Sequence, residues 1–395
     1  MRITLITGGA PHYEAGLITA LLEHDITMDV IGGDDLADTS AVQHPRVCFR
    51  NFYGKSESGA SLWRKLLRLI RVYLKLLAYA ARSDARLIHI QWHYKLAFFD
   101  RTALNLYYKA LGKKIIFTAH NIDAAARDGR QSWANRVSLR FHYHSMDRII
   151  AHTERMKTEL IRDFGVSESK ISVIPHGIMS AVPESPLSRQ EARERLGLGG
   201  ESRVILAFGL IAPYKGLEYL VEALGHLRRE HKSFTLVIAG RIKECQDYWK
   251  KIHTLIEREE LKDNVVTNLW HIPDDQVEIY FKAADVLVMP YRSIFQSGVL
   301  FLAYRFGLPV IATDVGSLKE DVTATNSGFI CKVDDAVDLA GTIDRFFISG
   351  LFRDQENSRQ QIREHASARY SWSSIGEQTR NVYESVMEPK HGFRS

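Results

Sequence analysis

The chain alternates short apolar runs with longer stretches whose apolar residues recur every three or four positions, and it does so twice over. Runs at Arg2 to Leu5, Thr27 to Ile31, Leu87 to Gln91, Lys114 to Thr118, Arg148 to Ala151 and Ile171 to Ile174 predict strands of a first sheet, separated by helical stretches. From Met179 to Ser202 the pattern breaks into a polar segment containing Pro183, Pro186 and a short helix that ends at Gly197. The alternation then restarts: Val204 to Phe208, Thr235 to Ala239, Asn264 to Asn268, Val286 to Met289 and Val310 to Ala312 predict strands, with helices such as Gly216 to Arg229 between them. Such alternation requires right-handed crossovers and mostly parallel sheets with helices on both faces. The fold class is therefore α/β, with doubly wound domains at 1–180 and 203–371 and a linker at 181–202. Ligands of such sheets lie beyond the carboxyl ends of the strands, so each loop that follows a strand is read for chemistry.

The segment from Asp285 to Glu320 is the most informative. A buried strand ends at Met289, a loop follows, a helix opens at Ser297-Gly298, and Gly307-Leu308-Pro309 stops that helix before the next strand. The first amides of a helix have no intrahelical partner, and together with the helix dipole they favour a phosphate or diphosphate by about 0.3 to 2 kcal/mol. An ordinary βαβ crossover would show the same order of elements, so the neighbouring strand ends carry the distinction. After Val204 to Phe208, Lys215 stands where the next helix starts and offers its ammonium to a phosphate; after Thr235 to Ala239, Arg241 offers a guanidinium at the equivalent level.

The first half of the chain carries other candidates. Thr7-Gly8-Gly9-Ala10-Pro11-His12-Tyr13 follows the first strand without the G-x-G-x-x-G spacing of dinucleotide folds. Lys114 to Thr118 runs into Ala119-His120-Asn121, a strand-end histidine with either a structural or a site role. His89, His93, His142, His144 and His152 have no spacing that compels a metal site, and none is assigned.

Composition narrows the classes. A chain of 395 residues is longer than a single core serves, and 45% hydrophobic with 25% charged residues is ordinary for a globular protein. Cys48, Cys245 and Cys331 are odd in number and far apart, which fits neither a disulfide framework nor a zinc knuckle and points to a reducing compartment. The start MRITLITGG lacks the features of a signal peptide, so a cytoplasmic location is expected. The net charge of +5 and the lack of a nucleic-acid-reading motif give no nucleic-acid partner. From Ser61 to Arg82, Leu62, Leu66, Leu69, Ile70, Tyr73 and Leu77 recur at helical spacing among Arg64, Lys65, Arg68, Arg71 and Lys75, with Trp63 beside them. This stretch cannot span a bilayer; it is either an amphipathic helix on an anionic membrane surface or a domain helix with basic stems over apolar surface.

Phe208-Gly209 through Tyr214-Lys215-Gly216, Ser297-Gly298-Val299 with Gly307-Leu308-Pro309-Val310-Ile311-Ala312, and Val173-Ile174-Pro175-His176-Gly177 together resemble the family-four glycosyltransferases with the GT-B fold, of the bacterial surface-polysaccharide type. The resemblance implies two Rossmann-like domains facing a central cleft, a nucleotide-sugar held chiefly by the second and a glycan or lipid-linked glycan acceptor held chiefly by the first. It implies no metal and no cofactor beyond the donor substrate, with retention of anomeric configuration. It also implies that a final helix at 372–395, read as Trp372 to Met387, crosses back to the first domain. By resemblance Lys215 and the amides of Ser297, Gly298 and Val299 bind the donor diphosphate, and Ile272 meets the base through its backbone. His120 sits near the reacting carbon, and Gly9 and Ala10 line the acceptor side with His12 and Tyr13. Two family glutamates are replaced by Ile294 and Leu302, and an arginine often found shortly before the lysine is replaced by Leu210, so Arg241 and Gln296 are the substitutes considered for donor contacts. Two other classes are weighed: a catalytically idle GT-B nucleotide-sugar-binding protein, and a nicotinamide-dependent oxidoreductase with Asp34 or Asp35 on a ribose.

Overall fold

The computed structural model of the chain describes residues 1–54, 61–123, 125, 132–178, 182–199, 203–242 and 245–388. These form two compact units, Met1–Gly177 with Tyr370–Ser395, and Ile178–Arg369. Each unit is built on one parallel sheet.

The first sheet contains β1 (Arg2–Ile6), β2 (Thr27–Gly32), β3 (Val47–Asn51), β4 (Leu87–Ile90), β5 (Lys114–Ala119), β6 (Arg148–Ala151) and β7 (Ile171–Val173), in the order β3-β2-β1-β4-β5-β6-β7. Its register sets Ile3 beside both Met28 and Leu87, so the central strands present Ile, Leu and Val on both faces, as burial between two helical layers demands. The second contains β8 (Val204–Phe208), β9 (Thr235–Ala239), β10 (Val265–Asn268), β11 (Val286–Met289), β12 (Val310–Thr313) and β13 (Gly328–Cys331), in the order β10-β9-β8-β11-β12-β13. In both sheets the order reverses beside the first strand, between β1 and β4 and between β8 and β11. The strand ends there are the crevices in which doubly wound sheets bind ligands.

Two strands lie outside the sequence reading, and both are edges. In β3 (VCFRN) no position is fully buried, so it lacks the apolar run of a central strand. In β13 (GFIC) the edge pairs closely enough that a Cβ on Gly328 would fall 1.7 Å from Val310 O, a position glycine alone fills.

The expected linker at 181–202 is corrected: its described part belongs to the second unit. Ser188 and Glu191 form a capping box that starts helix Arg189–Arg195, whose Ala192 is fully buried. Arg193 donates to Ala283 O at 3.0 Å and to Asp285 Oδ2 at 3.0 Å, while Val204 N, Arg189 and Gln355 also donate to Asp285. The polar residues that suggested a linker are thus the partners of a buried carboxylate at the start of β11.

Helix Trp372–Met387 packs on helix Pro11–Glu23 of the first unit. Gly16 and Gly177 make room for the Trp372 indole, since a Cβ on either would lie within 2.4 Å of it. Tyr383 is fully buried and its hydroxyl meets His89 Nδ1 at 2.7 Å.

Helix Leu62–Arg82 faces the core with Val72, Tyr73, Leu76 and Ala80, a stripe rotated from the one its sequence spacing suggests. A second apolar strip is left outside: Trp63 is 75% exposed, Leu74 60%, and Leu66, Leu67 and Ile70 about half. Among the described residues no helix is long and apolar enough to cross a membrane.

Candidate functional site

In the second unit the loops after β8 and β11 are locked together. Gly216 has φ +63° and lies so close to Pro290 that a Cβ would fall 2.0 Å from its carbonyl oxygen, while Arg292 N donates to Tyr214 O at 2.9 Å. The backbone of the turn Pro213–Lys215 is thereby fixed against the exit of β11. From it Lys215 Nζ reaches Tyr291 Oη at 2.5 Å and stands 4.1 Å from the centre of that ring. Tyr291 is buried, which pushes its phenol far above the ordinary value, with the Ser297 hydroxyl offsetting part of the shift. It stays neutral at physiological pH, so this contact orients the Lys215 ammonium without cancelling its charge.

Helix Gly298–Arg305 opens beside this lysine. Ser297 is 5% exposed and extended, its side chain caps nothing, and the amides of Gly298 and Val299 have no acceptor among the described residues. Gly209, at φ +99°, is the floor: a Cβ there would lie 3.2 Å from Val299 Cγ2 and 3.8 Å from Lys215 Nζ. Lys215, Gly209 and the start of the helix therefore converge on one spot, the switch point between β8 and β11. One charged donor and uncommitted backbone N–H groups at a helix start are the chemistry of a phosphate site.

The approach to that helix is pre-set. Gly316, at φ +55°, lies under Ile294 and Phe295, where a Cβ would fall 2.1 Å from Ile294 O, and Ser317 N donates to Phe295 O at 3.0 Å. Gln296 is held here with both side-chain amide atoms buried and unpartnered. An unpaired buried amide costs about 1 to 3 kcal/mol, the kind of cost a binding site carries until its ligand arrives. Ile294 is half-buried and Leu302 buried, so neither position supplies a polar contact. Arg241 is exposed with no ion pair among the described residues, one residue past Gly240, whose backbone touches that of Gly209. Ile272 is 5% exposed, in the loop between β10 and helix Asp274–Ala283.

In the first unit the loop after β1 is already filled. The buried Glu14 carboxylate accepts from Gly8 N at 2.8 Å, Gly9 N at 3.1 Å and Ala10 N at 3.4 Å. Burial raises the pKa of Glu14 and these amides pull it back. They are the donors that a dinucleotide fold would turn to a pyrophosphate, so the oxidoreductase alternative loses its anchor. Of its two ribose candidates, Asp34 accepts from Asn51 Nδ2 at 2.5 Å and Asp35 is exposed.

The proposed acceptor residues separate. Gly9 lies against Trp92, where a Cβ would fall 2.5 Å from the indole, and Ala10 and His12 are half-buried. Tyr13 is 2% exposed, inside a ring cluster with His120 at 4.8 Å, His176 at 4.7 Å, Trp372 at 5.2 Å and His152 at 5.5 Å between centroids. Its side chain serves the core, and the expectation that it touches an acceptor is corrected.

His120 has both nitrogens engaged. His152 Nδ1 donates to Ile174 O at 3.0 Å, so neutral His152 accepts through Nε2 and His120 Nδ1 donates to it at 3.1 Å. That leaves His120 Nε2 against the Gln91 side-chain amide at 2.9 Å, an amide oriented by the network itself. The ring is stacked on Trp92 at 4.9 Å with planes 2° apart. Burial, then the neighbouring imidazoles, push its pKa well below the ordinary histidine value. Neither nitrogen reaches a substrate without first leaving its partner, which makes His120 a positioned ring rather than a ready acid or base. Among the described residues no group of three or more His, Cys, Asp or Glu could hold a metal.

Four residues of these sites are not expected from the sequence: Tyr291, Glu14, Gln91 and Trp92. Glu14 alone carried a signal, an acid one helical turn past a Gly-Gly loop; the others become visible only when the strand order brings β4 beside β1 and β11 beside β8.

Two family sequence models match in tandem: one described as Glycosyltransferase Family 4 over residues 7–181, the other as Glycosyl transferases group 1 over 188–369. An uncharacterized glycosyltransferase of Methanocaldococcus jannaschii is 29% identical over 61% of this chain and 60% of its own length. A D-inositol 3-phosphate glycosyltransferase of Streptomyces bingchenggensis is 28% identical over 63% of this chain, and the match spans little more than half, 55%, of that relative. Another enzyme of the latter name, from Pseudarthrobacter chlorophenolicus, is 25% identical over 96% of this chain and 91% of its own length. Among solved structures, sucrose-phosphate synthase of Thermosynechococcus elongatus superposes with a TM-score of 0.76 at 20% identity over 98% of this chain and 99% of its own. Anabaena HepE in complex with UDP gives 0.74 at 19% identity over 98% of this chain and 100% of its own. With both halves matched by glycosyltransferase models and both sheets superposed on GT-B structures, the chain belongs to the family-four glycosyltransferases of the GT-B fold.

Proposed function

We propose that this protein moves a sugar from a nucleotide-sugar to a glycan or lipid-linked glycan acceptor, with retention and without a metal ion, in the assembly of a bacterial polysaccharide. One observation carries the reading: Lys215 and the amides of Gly298 and Val299 meet over Gly209 at the β8/β11 switch point. Departure of a nucleoside diphosphate places new charge on its terminal phosphate. Preset donors stabilise that charge without reorganising, as an oxyanion hole does. Ser297 fixes the start of the helix, Arg241 supplies a second cation from the β9 loop, and the buried Gln296 amide meets a sugar hydroxyl. The Ile272 backbone approaches the base. On the first unit Gly9, Ala10 and His12 face the acceptor, and His120 lines the reacting centre with its ring edge while His152 and Gln91 hold it. The solved complex of HepE with UDP supports a nucleoside diphosphate leaving group.

The protein works on the cytoplasmic membrane surface, with the exposed strip of helix Leu62–Arg82 resting on anionic lipid, where each nearby basic residue contributes about 1 kcal/mol. Replacing Arg64 and Arg71 together with Glu should release the protein from phosphatidylglycerol vesicles in a sedimentation assay; unaltered binding removes this part of the reading.

Ile294 and Leu302, apolar where the family usually has carboxylates, favour a second reading in which the protein binds a nucleotide-sugar without turning it over. The unpartnered Gln296 amide weighs against it, because it keeps a polar contact in the pocket. The deciding assay is release of nucleoside diphosphate from a panel of nucleotide-sugars with membrane extract as acceptor. Release that needs both components supports transfer, and donor binding without release supports the idle reading.

A further inference from the structure

A cavity of about 390 Å³ lies in the first unit between the outer strands of the sheet and the C-terminal half of helix Leu62–Arg82. Its walls carry four cations, Arg2, Arg50, Lys75 and Arg82, and two carboxylates, Asp29 and Asp84. One carboxylate is spent: Asp29 is 1% exposed, accepts from Arg2 at 3.0 and 3.1 Å, and takes the Tyr79 hydroxyl at 2.7 Å. Arg50, Lys75 and Arg82 have no carboxylate within ion-pair distance among the described residues. Aromatic faces hold two of them: the Arg50 guanidinium lies 5.1 Å from the Tyr79 ring centre, and Lys75 Nζ lies 5.6 Å from that of Phe52. Arg50 Nε is buried with no hydrogen-bond partner.

The arrangement is what a bound anion needs and what a merely structural cluster avoids. Like charges gathered around one concavity repel unless something negative enters, and the buried Arg50 Nε stays without a partner until then. The pocket differs from a general basic surface in that Arg50 comes from β3, not from the helix, and is fixed by stacking before any ligand arrives. Its position narrows the ligand. Lys75 and Arg82 lie on the flank of the same helix whose neighbouring flank exposes Trp63, Leu67, Ile70 and Leu74. Between Ser61 and Ser83 there is no Asp or Glu. An anion that enters here therefore sits beside an apolar strip.

We propose that Arg50, Lys75 and Arg82 form a binding site for a phosphate ester, distinct from the donor pocket of the second unit. The ester is either the headgroup of an anionic phospholipid or a soluble phosphate of the same chemistry. Arg50 and Arg82 grip the phosphate oxygens, Lys75 adds a point charge, and Asp84 at the rim limits the net charge that the site accepts. The inference does not depend on the glycosyl-transfer reading, because all of its residues belong to the first unit and the donor pocket is built by the second.

The test compares two pairs of substitutions of equal charge in the full chain: Arg50→Gln with Arg82→Gln inside the cavity, and Arg64→Gln with Arg71→Gln on the helix outside it. Binding of glycerol phosphate is followed by calorimetry, and partition onto phosphatidylglycerol against phosphatidylcholine vesicles by sedimentation. The cavity pair should weaken glycerol phosphate at least about tenfold, the loss of one charge-assisted contact, and the outer pair should leave it unchanged. A larger loss of phosphatidylglycerol binding for the cavity pair than for the outer pair identifies a lipid headgroup. Equal vesicle binding, with glycerol phosphate lost only by the cavity pair, identifies a soluble phosphate ester. Equal effects of the two pairs on both probes, or no saturable binding of either probe, overturns the site. Because Arg50 stacks on Tyr79, Lys75→Gln on the exposed helix is the substitute if the cavity pair does not fold, and it should weaken the same probe in the same direction.

Discussion

Replacing Lys215 with Met tests the donor pocket where it is best defined. The substitution keeps a long unbranched stem over the Tyr291 ring and removes the ammonium that meets Tyr291 Oη at 2.5 Å. Tyr291 retains the Ser297 hydroxyl beside it, and Gly216 and Arg292 still lock the turn to β11. Folding stability should thus change by less than about 1 kcal/mol. The loss falls on the ligand. One charge-assisted hydrogen bond contributes about 1.5 to 3 kcal/mol net, which is roughly a 10- to 150-fold weakening for a nucleoside diphosphate. Calorimetric titration of wild type and variant measures it, with the parent nucleoside as internal control. The nucleoside should bind both proteins alike, because it has no phosphate for Lys215 to meet. Equal affinity of both proteins for the diphosphate would refute the role of Lys215, and parallel weakening of nucleoside and diphosphate would show that the pocket had merely collapsed.

Gln296→Leu should stabilise the ligand-free protein by about 1 kcal/mol, since it removes an unpaired buried amide, and weaken a nucleotide-sugar while sparing the nucleoside diphosphate; equal weakening of both in a thermal-shift titration contradicts a sugar contact. Trp372→Ala should cost about 3 to 5 kcal/mol in denaturant unfolding, because the indole fills the space left by Gly16 and Gly177 and packs on Tyr13 at 5.2 Å; a loss under about 1 kcal/mol would mean that the terminal helix is not anchored there. Burial lowers His152 to about 4 and His89 and His176 to about 3. Their folded values lie below the ordinary one, so their contribution is present above about pH 6.5 and is lost as pH falls toward those values. Each histidine removes up to about 1.4 kcal/mol per pH unit. Unfolding followed from pH 7 to 5 should show this decline, and His152→Gln should flatten it; stability independent of pH over that range would contradict neutral buried imidazoles.

The sequence was most legible where one physical demand governs the residue. Central strands between helical layers must be apolar on both faces, so β1, β2, β8, β9, β11 and β12 stand out as short apolar runs, whereas β3 and β13, half-exposed at the edges, do not. Lys215 and Ser297-Gly298 were legible because each lies directly after a strand. Their convergence was not, because it depends on β11 returning beside β8 after two strands have been laid on the other side. Helix Leu62–Arg82 shows a further limit. Its apolar residues cover more of its circumference than a core stripe needs, so spacing alone could not say which would be buried, and the observed choice leaves Trp63 and Leu74 outside. His120 was found by its strand-end position, but the His152 and Gln91 contacts that occupy its nitrogens come from neighbouring strand ends and have no local signature. The segment at 181–202 misled for a definite reason: buried ion pairs to Asp285 give it the composition of an exposed linker.

The central claim is that a nucleoside diphosphate occupies the β8/β11 switch point of the second unit. Crystals of the protein soaked with the nucleoside diphosphate that most raises its melting temperature test this directly. The terminal phosphate should lie within hydrogen-bond distance of Lys215 Nζ and of the amides of Gly298 and Val299, with Gly209 beneath it. Density for the diphosphate elsewhere, above all at the β1 loop with Glu14 displaced, would contradict the assignment.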